Sequence, residues 1–432
     1  MVLSKNVFSS FLWILGVMFV LPLTAQDRDY VKRVVNDLSN PGMHGRASFK
    51  NGDHIAADYL VREMKKAGLR AFEGSYKQEY SYTVNNFPSK VAAKVDGKPL
   101  VPGQDFVVSP SMRSLRRSYE LVWLPDTLTK VASVYQLTDT TRLDGKMLVL
   151  PDAMGESYRR GIKGVPALAQ RSSGNIWWHV SRRRDETDRA AIKVRKESLP
   201  EGAKQVSLDV KSELLVNRKA YNVTGFVEGH NQPDSFVVFV AHYDHLGRMG
   251  KKALFPGASD NASGTAAVLD LGRYYAANPE KAYYSMVFLL VSGEEAGLLG
   301  SYHFVNHPLI PLEKTRFVFN FDMVGTGSEG LSVVNGLSYP EAFRIMESIN
   351  QQQELFPQIT ARGESCNSDH CPFHQKGVPA VFLFTRGREN RQYHDTGDIA
   401  SKLPFTRYEQ LFTLVTAFVQ QLPAQPAFAV TK

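Results

Sequence analysis

The chain reads as an α/β protein whose mixed, largely parallel central sheet is flanked by helices and interrupted by an inserted, mostly β lobe. Three observations predict this. Val237–Val240, Val287–Val291, Phe317–Phe321 and Val381–Phe384 are continuous apolar runs without polar alternation, the pattern of strands buried on both faces of a largely parallel sheet. Helical spacing of apolar residues falls between or after them, at Ser263–Ala277, Glu295–Val305, Pro340–Gln352 and Phe405–Gln421. From Ser118 to Val216 the texture changes to short strand patterns separated by charged turns, with no long amphipathic helix. At 432 residues the chain is long enough for two folded units.

The N-terminus carries one charge, Lys5, ahead of an apolar run from Val7 to Leu23, and Leu23-Thr24-Ala25 supplies a small residue for cleavage. Residues 1–25 therefore read as a signal peptide, too short and too poorly flanked for a stable membrane anchor. This predicts a secreted or periplasmic protein. Residues 26–117 follow as the N-terminal part of the main domain. Helices are expected over Asp27–Leu38 and His54–Ala67, the second closed by Gly68, and strands over Tyr76–Val84 and Val91–Val95. In the lobe, 118–216, strands are expected at Glu120–Leu124, Lys146–Leu150, Ala191–Val194 and Gln205–Val210. Residues 217–432 complete the main domain. Hydrophobic content of 43% and charged content of 22% are ordinary for a globular protein, and the net charge of +8 is modest for this length. Arg182-Arg183-Arg184 adjoin Asp185, Glu186 and Asp188, which marks a solvated face and gives no reason to expect a nucleic-acid partner. Cys366 and Cys371, the only cysteines, are expected to close a small disulfide loop in an oxidising compartment.

The chemistry lies at the strand ends. Val237–Val240 runs into Ala-His242-Tyr-Asp244-His245, and a Gly-Ala-Ser-Asp260-Asn-Ala-Ser-Gly turn precedes the next helix. Val287–Val291 runs into Ser-Gly-Glu294-Glu295, Phe317–Phe321 into Asp322, and Tyr393-His394-Asp395 follows Val381–Phe384. Ligands collect at the carboxyl ends of strands in open α/β sheets, so these residues can converge. Imidazole with carboxylate is a donor set for borderline cations, zinc above all. Five donors exceed the needs of one tetrahedral ion with an open position. Two zinc ions sharing Asp260 would use them all, His242 and Asp322 on one, Glu295 and His394 on the other. Such a pair can hold a bridging hydroxide and polarise a carbonyl. Glu294, next to a ligand but free of it, is the expected general base. Asp244, on the same side of an extended segment as His242, is expected to orient it, and Asp398 to do the same for His394. His245 would face away. His44, His54, His179, His230, His303, His307 and His374 lack a matching context and read as structural.

Two further patterns are decoys. Gly325–Gly330 matches a dinucleotide fingerprint, but Leu331-Ser-Val-Val reads as a strand where that fingerprint must open a helix. Ser368-Asp369-His370 holds triad residue types, but contiguous residues cannot form triad geometry.

In order, AHYDHLG, PGASDNASG, VSGEEAGLLGS, FNFDMVG, SDHCPF and YHDTGD resemble the successive motifs of the co-catalytic zinc aminopeptidase family. That family includes bacterial leucyl aminopeptidases, aminopeptidase Y, the catalytic domain of glutamate carboxypeptidase II and glutaminyl cyclase. The resemblance covers about Asn222 to Leu422 and extends weakly over Asp27–Leu115. It implies a zinc exopeptidase-like fold, two zinc ions on His242, Asp260, Glu295, Asp322 and His394, Glu294 as base, and peptide substrates that lose N-terminal residues. The lobe occupies the place where many relatives carry a protease-associated domain. Several relatives stabilise the oxyanion with a tyrosine near the metals, for which Tyr393, or His370 in the cysteine loop, is the candidate here. Two other readings compete, a glutaminyl-peptide cyclotransferase and a non-catalytic binding scaffold. An intact Glu294 argues against the second, since binding alone needs no free base.

Overall fold

The computed structural model describes residues 27–130, 134, 142–154, 162, 164–185 and 189–429. The expected signal peptide lies outside them. Among the described residues no helix is long and apolar enough to cross a membrane.

Asp27 accepts a hydrogen bond from the Tyr30 amide and caps the first helix, Arg28–Leu38, whose Tyr30, Val31, Val34, Val35 and Leu38 face the core. The second helix, Gly52–Lys66, buries Ala56, Ala57, Leu60 and Met64. It ends on Lys65, Lys66 and a left-handed Gly68, which suit the negative end of the helix dipole and the steric needs of the stop.

These helices lean on an eight-stranded sheet ordered Lys77–Asn86, Glu213–Val227, Tyr284–Val291, Gln232–His242, Thr315–Phe321, Ala380–Arg386, Gly330–Val334, Ile359–Ala361. The four strands Tyr284–Val291, Gln232–His242, Thr315–Phe321 and Ala380–Arg386 run parallel at its centre, as the apolar runs predict. Antiparallel neighbours join on either side. Phe239 stacks on Phe288 and Phe319 on one face, against Tyr275 of the helix Gly264–Ala277. The opposite face packs Val238, Val240, Val287 and Leu289 against Phe304 and Phe373.

The second sheet also has eight strands, ordered Lys98–Pro99, Val91–Val95, Gln205–Val210, Leu115–Trp123, Lys146–Leu150, Ala167–Ser172, Ala190–Arg195, Phe106–Val108. It therefore begins at Val91 and not at Ser118. Val91–Val95 pairs with Gln205–Val210, and Phe106–Val108 with Ala190–Arg195. Local alternation identifies a strand but not its partner, so the sequence places Val91–Val95 with the main domain rather than with this sheet. At the other boundary, Glu213–Val227 already belongs to the first sheet.

One helix starts later than its apolar spacing suggests. Leu299–Asn306 is helical, whereas Gly293, Gly297 and Leu298 have positive φ and hold the preceding residues in a turn. That turn removes Glu294 and Glu295 from the helix and leaves both carboxylates at the sheet's end.

Phe239, fully buried at the centre of the ring stack, should be among the costliest truncations in the sheet. Phe239→Ala is expected to lower the unfolding free energy by about 3–5 kcal/mol in urea titration. A loss below about 1 kcal/mol would contradict this placement of the core.

Candidate metal centre

His242 is the last residue of its strand, Asp322 follows Phe321 directly, and Glu294 and Glu295 follow the strand ending at Val291. The Asp260 turn and the Tyr393-His394 loop close over the same edge. Asp260 and Asn261 are non-helical within the segment that leads into Gly264–Ala277. The Asn261 side chain donates to the Phe321 carbonyl (2.8 Å) and accepts from the Gly264 (2.9 Å) and Met323 (3.3 Å) amides. It ties the Asp260 turn to the Asp322 strand.

His242 Nε2 lies 3.4 Å from Asp260 Oδ1, 3.5 Å from Asp322 Oδ2 and 4.0 Å from Glu294 Oε2. His394 Nε2 lies 3.0 Å from Asp260 Oδ2 and 3.2 Å from Glu295 Oε2. Asp260 thus offers one oxygen to each histidine. His245, expected to point away, has Nδ1 2.9 Å from Glu295 Oε1 and 3.9 Å from Asp260 Oδ2. The strand ends at His242, so its two-residue alternation no longer fixes where His245 points.

The electrostatics are those of an anionic pocket. For His242, burial lowers the pKa, but Glu294, Asp322 and Asp260 outweigh it and raise it well above the usual imidazole range. Burial also opposes charge on His394, which Glu295 and Asp260 nevertheless push up to about 11. Burial raises Glu294 well above an ordinary carboxylate, reinforced by Glu295, Asp369 and Asp322. Glu295 moves the other way, because His394 and His245 overcome its desolvation. Asp260 Oδ2, Glu295 Oε1, Asp322 Oδ1 and both ring nitrogens of His245 are buried without a hydrogen-bond partner among the described residues. Buried polar atoms are normally satisfied. Three of them converge, His245 Nδ1 lying 2.9 Å from Glu295 Oε1 and 3.9 Å from Asp260 Oδ2. With their mixed nitrogen and oxygen chemistry, they fit a divalent cation of the zinc type.

A surrounding layer fixes these groups. Ser368 Oγ donates to Asp322 Oδ2 (2.8 Å). Asp244 accepts from the Glu294 amide (3.2 Å), and its own carbonyl (3.2 Å) and carboxylate (3.8 Å) face His242 Nδ1. Asp398 does not serve His394 as expected. It accepts instead from the Ser259 and Asp260 amides, because a carboxylate held in the core seeks the nearest free N–H groups. His179, read as structural in the sequence, occupies the place expected for Asp398, with Nδ1 3.1 Å from His394 Nδ1. Arg46 is wholly buried and donates to the carbonyls of Tyr243 (2.6 Å), Pro256 (2.7 Å) and Gly257 (2.7 Å) beneath the site. Its sequence context gives no sign of this, since these three backbone oxygens are about 200 positions away and only the Leu38 carbonyl, 2.9 Å off, is near in sequence.

Tyr393 stacks on His394 with ring centroids 3.9 Å apart. His370 lies under the Cys366–Cys371 disulfide loop, its Nε2 2.8 Å from the Ser365 carbonyl and its ring against Phe382. It is wholly buried among these contacts.

Residues 222–419 match the model of Peptidase family M28. This stretch belongs to that family. Aminopeptidase YwaD of Bacillus subtilis (strain 168) is 29% identical over 238 residues, which cover 53% of this chain and 50% of that protein. A probable leucine aminopeptidase of Arthroderma otae is 28% identical over 229 residues, 50% of this chain and 61% of that protein. The chain thus spans about half to three-fifths of the length of these curated relatives. Among solved structures it is similar to a Peptidase M28 precursor from Shewanella amazonensis SB2B (TM-score 0.73, 18% identity, 94% of this chain and 96% of that one). It is also similar to BSAP, a zinc aminopeptidase from Bacillus subtilis (TM-score 0.67, 19% identity, 95% and 99%). These likenesses establish a shared α/β fold.

Burial holds His370 near pKa 4 in the folded protein, below the usual 6.5. A depressed folded pKa means that its contribution to stability is present above pH 6.5 and lost as pH falls through about 4. Urea unfolding of chelator-treated protein should show up to about 3 kcal/mol lost across that window. His370→Gln should remove that part of the pH dependence. An unchanged profile in the variant would contradict the assignment.

Proposed function

We propose that the protein is an exported, zinc-dependent aminopeptidase that binds two zinc ions and hydrolyses N-terminal residues from peptides. The observation that carries this reading is the position of Asp260, one oxygen toward His242 and the other toward His394, with Glu294 the most distant of the three carboxylates facing His242 Nε2. In this reading His242, Asp260 and Asp322 would hold one ion, and Asp260, Glu295 and His394 the other. His245 Nδ1 lies 2.9 Å from the other Glu295 oxygen. When bound, the ions supply Lewis-acid charge for the scissile carbonyl and make an attacking water more acidic.

The chain's own residues do the rest. Glu294 takes the proton of the attacking water on its carboxylate and returns it to the departing amine. The desolvation of its carboxylate strengthens it as a proton acceptor. Its side chain is 15% exposed, more open than Asp260 at 4% and Glu295 at 5% and close to Asp322 at 12%. Asp244, hydrogen-bonded to the Glu294 amide, holds the base and faces His242 at once. Tyr393, stacked against His394, is the candidate to donate its hydroxyl to the carbonyl oxygen as it gains charge. A groove of about 1180 Å³ opens beside Glu295 and Ala296, between Tyr80–Thr83, Ser181–Arg183 and Tyr302, with room for the remainder of a peptide. The apolar N-terminal segment and the Cys366–Cys371 disulfide support export.

Glu294→Gln should retain zinc while kcat falls by about 10²- to 10⁴-fold, whereas Glu295→Ala or His394→Ala should lose zinc. Metal content and hydrolysis of aminoacyl-anilides, measured on the same preparations, check both halves. Loss of zinc from Glu294→Gln with activity per bound ion intact would exchange the roles of the two glutamates. Pyroglutamate formation from N-terminal glutaminyl peptides, with no hydrolysis, would replace the peptidase reading with a cyclase.

A further inference from the structure

Three consecutive residues of the second lobe each grip a different part of the Tyr393-His394 dipeptide. Trp177 meets the Tyr393 ring edge-on, centroids 5.5 Å apart. The Trp178 amide donates to the His394 carbonyl at 3.0 Å. His179 Nδ1 sits 3.1 Å from His394 Nδ1. The segment is itself anchored, since Trp178 is buried against Phe87 and Phe255 and its indole N–H donates to the Val108 carbonyl at 2.9 Å. Asn175 adds a contact to Asp395, 3.5 Å away. The main domain's own nearby carboxylate, Asp398, is occupied by the Ser259 and Asp260 amides.

We infer that His179 is a positioning residue supplied by the lobe, and that it presents His394 to the metal position formed with Asp260 and Glu295. The inference rests on the two-zinc reading above. The chemistry is one of tautomers. For His394 Nε2 to offer a lone pair toward Asp260 and Glu295, its proton must sit on Nδ1, and that proton needs an acceptor. His179 provides one when its own proton is on Nε2. A partner behind a metal-bound histidine fixes both ring orientation and tautomer, and losing it typically weakens binding 10- to 100-fold. The lobe therefore does more than border the peptide groove. It completes one of the two metal positions, and the Trp177 contact carries the same placement to Tyr393.

The test is a zinc titration of the full chain under chelator-buffered free zinc. His179→Phe keeps a ring of similar size but accepts no hydrogen bond, while His179→Gln restores an acceptor in its amide oxygen. We expect His179→Phe to weaken one of two zinc-binding steps 10- to 100-fold and leave the other unchanged, with the melting temperature of the metal-free protein preserved. His179→Gln should recover much of the loss. In metal-free wild type, ¹⁵N-histidine NMR should show the His394 Nδ1 proton shared with His179, a signal absent in His179→Phe. Two wild-type affinities in His179→Phe, equal weakening of both steps, or no rescue by His179→Gln would overturn the inference alone. Absence of zinc binding in the wild type would overturn the two-zinc reading and the inference with it.

Discussion

Asp260 and Asp322, buried, and Glu294 and Glu295, half-buried, lie within a few ångströms of each other at the end of one sheet. Like charges so close in a low-dielectric site repel strongly, and each also loses its hydration. A chain keeps such a cluster only if positive charge enters it. Three imidazoles face the carboxylates, and Arg46 lies beneath them with its guanidinium spent on backbone carbonyls. The unsatisfied lone pairs that remain have no other partner among the described residues. Cation binding resolves both the repulsion and the orphaned atoms, and the rest of the molecule can be understood as the frame that keeps these groups in place until it occurs.

That frame has two parts with different jobs. The central parallel strands deliver His242, Asp322 and the glutamates to one edge, and their rigidity comes from apolar faces packed on both sides. Loops deliver Asp260 and His394, and loops need separate fastening. Asn261 and Asp398 fasten the first through backbone groups. The Trp177–His179 segment fastens the second from across the lobe boundary. Second-layer groups of this kind commonly decide how well a metal ligand is aimed.

Much of this was legible in the sequence because it is local. Continuous apolar runs mark buried parallel strands, and His242, Glu294, Glu295 and Asp322 stand where those runs stop. The disulfide followed from two cysteines five residues apart. What escaped is long-range. Val91–Val95 shows its own alternation but not its pairing with Gln205–Val210. His179 is separated from His394 by 215 positions and has no motif around it. His245 was set aside by extending strand alternation one step too far, and the following Gly247, with φ of 82°, is the local sign that the strand had ended. Asp398 was assigned by proximity in sequence, whereas the free amides of the Asp260 turn determine where it binds.

The central claim is that two zinc positions share Asp260 and work together. Equilibrium titration of the metal-free protein with zinc, following bound metal and release of N-terminal residues from the same samples, tests it most directly. The account predicts saturation at two ions per chain, with full peptidase activity only as the second is filled. Saturation at one ion with full activity, or no zinc uptake at all, would contradict it.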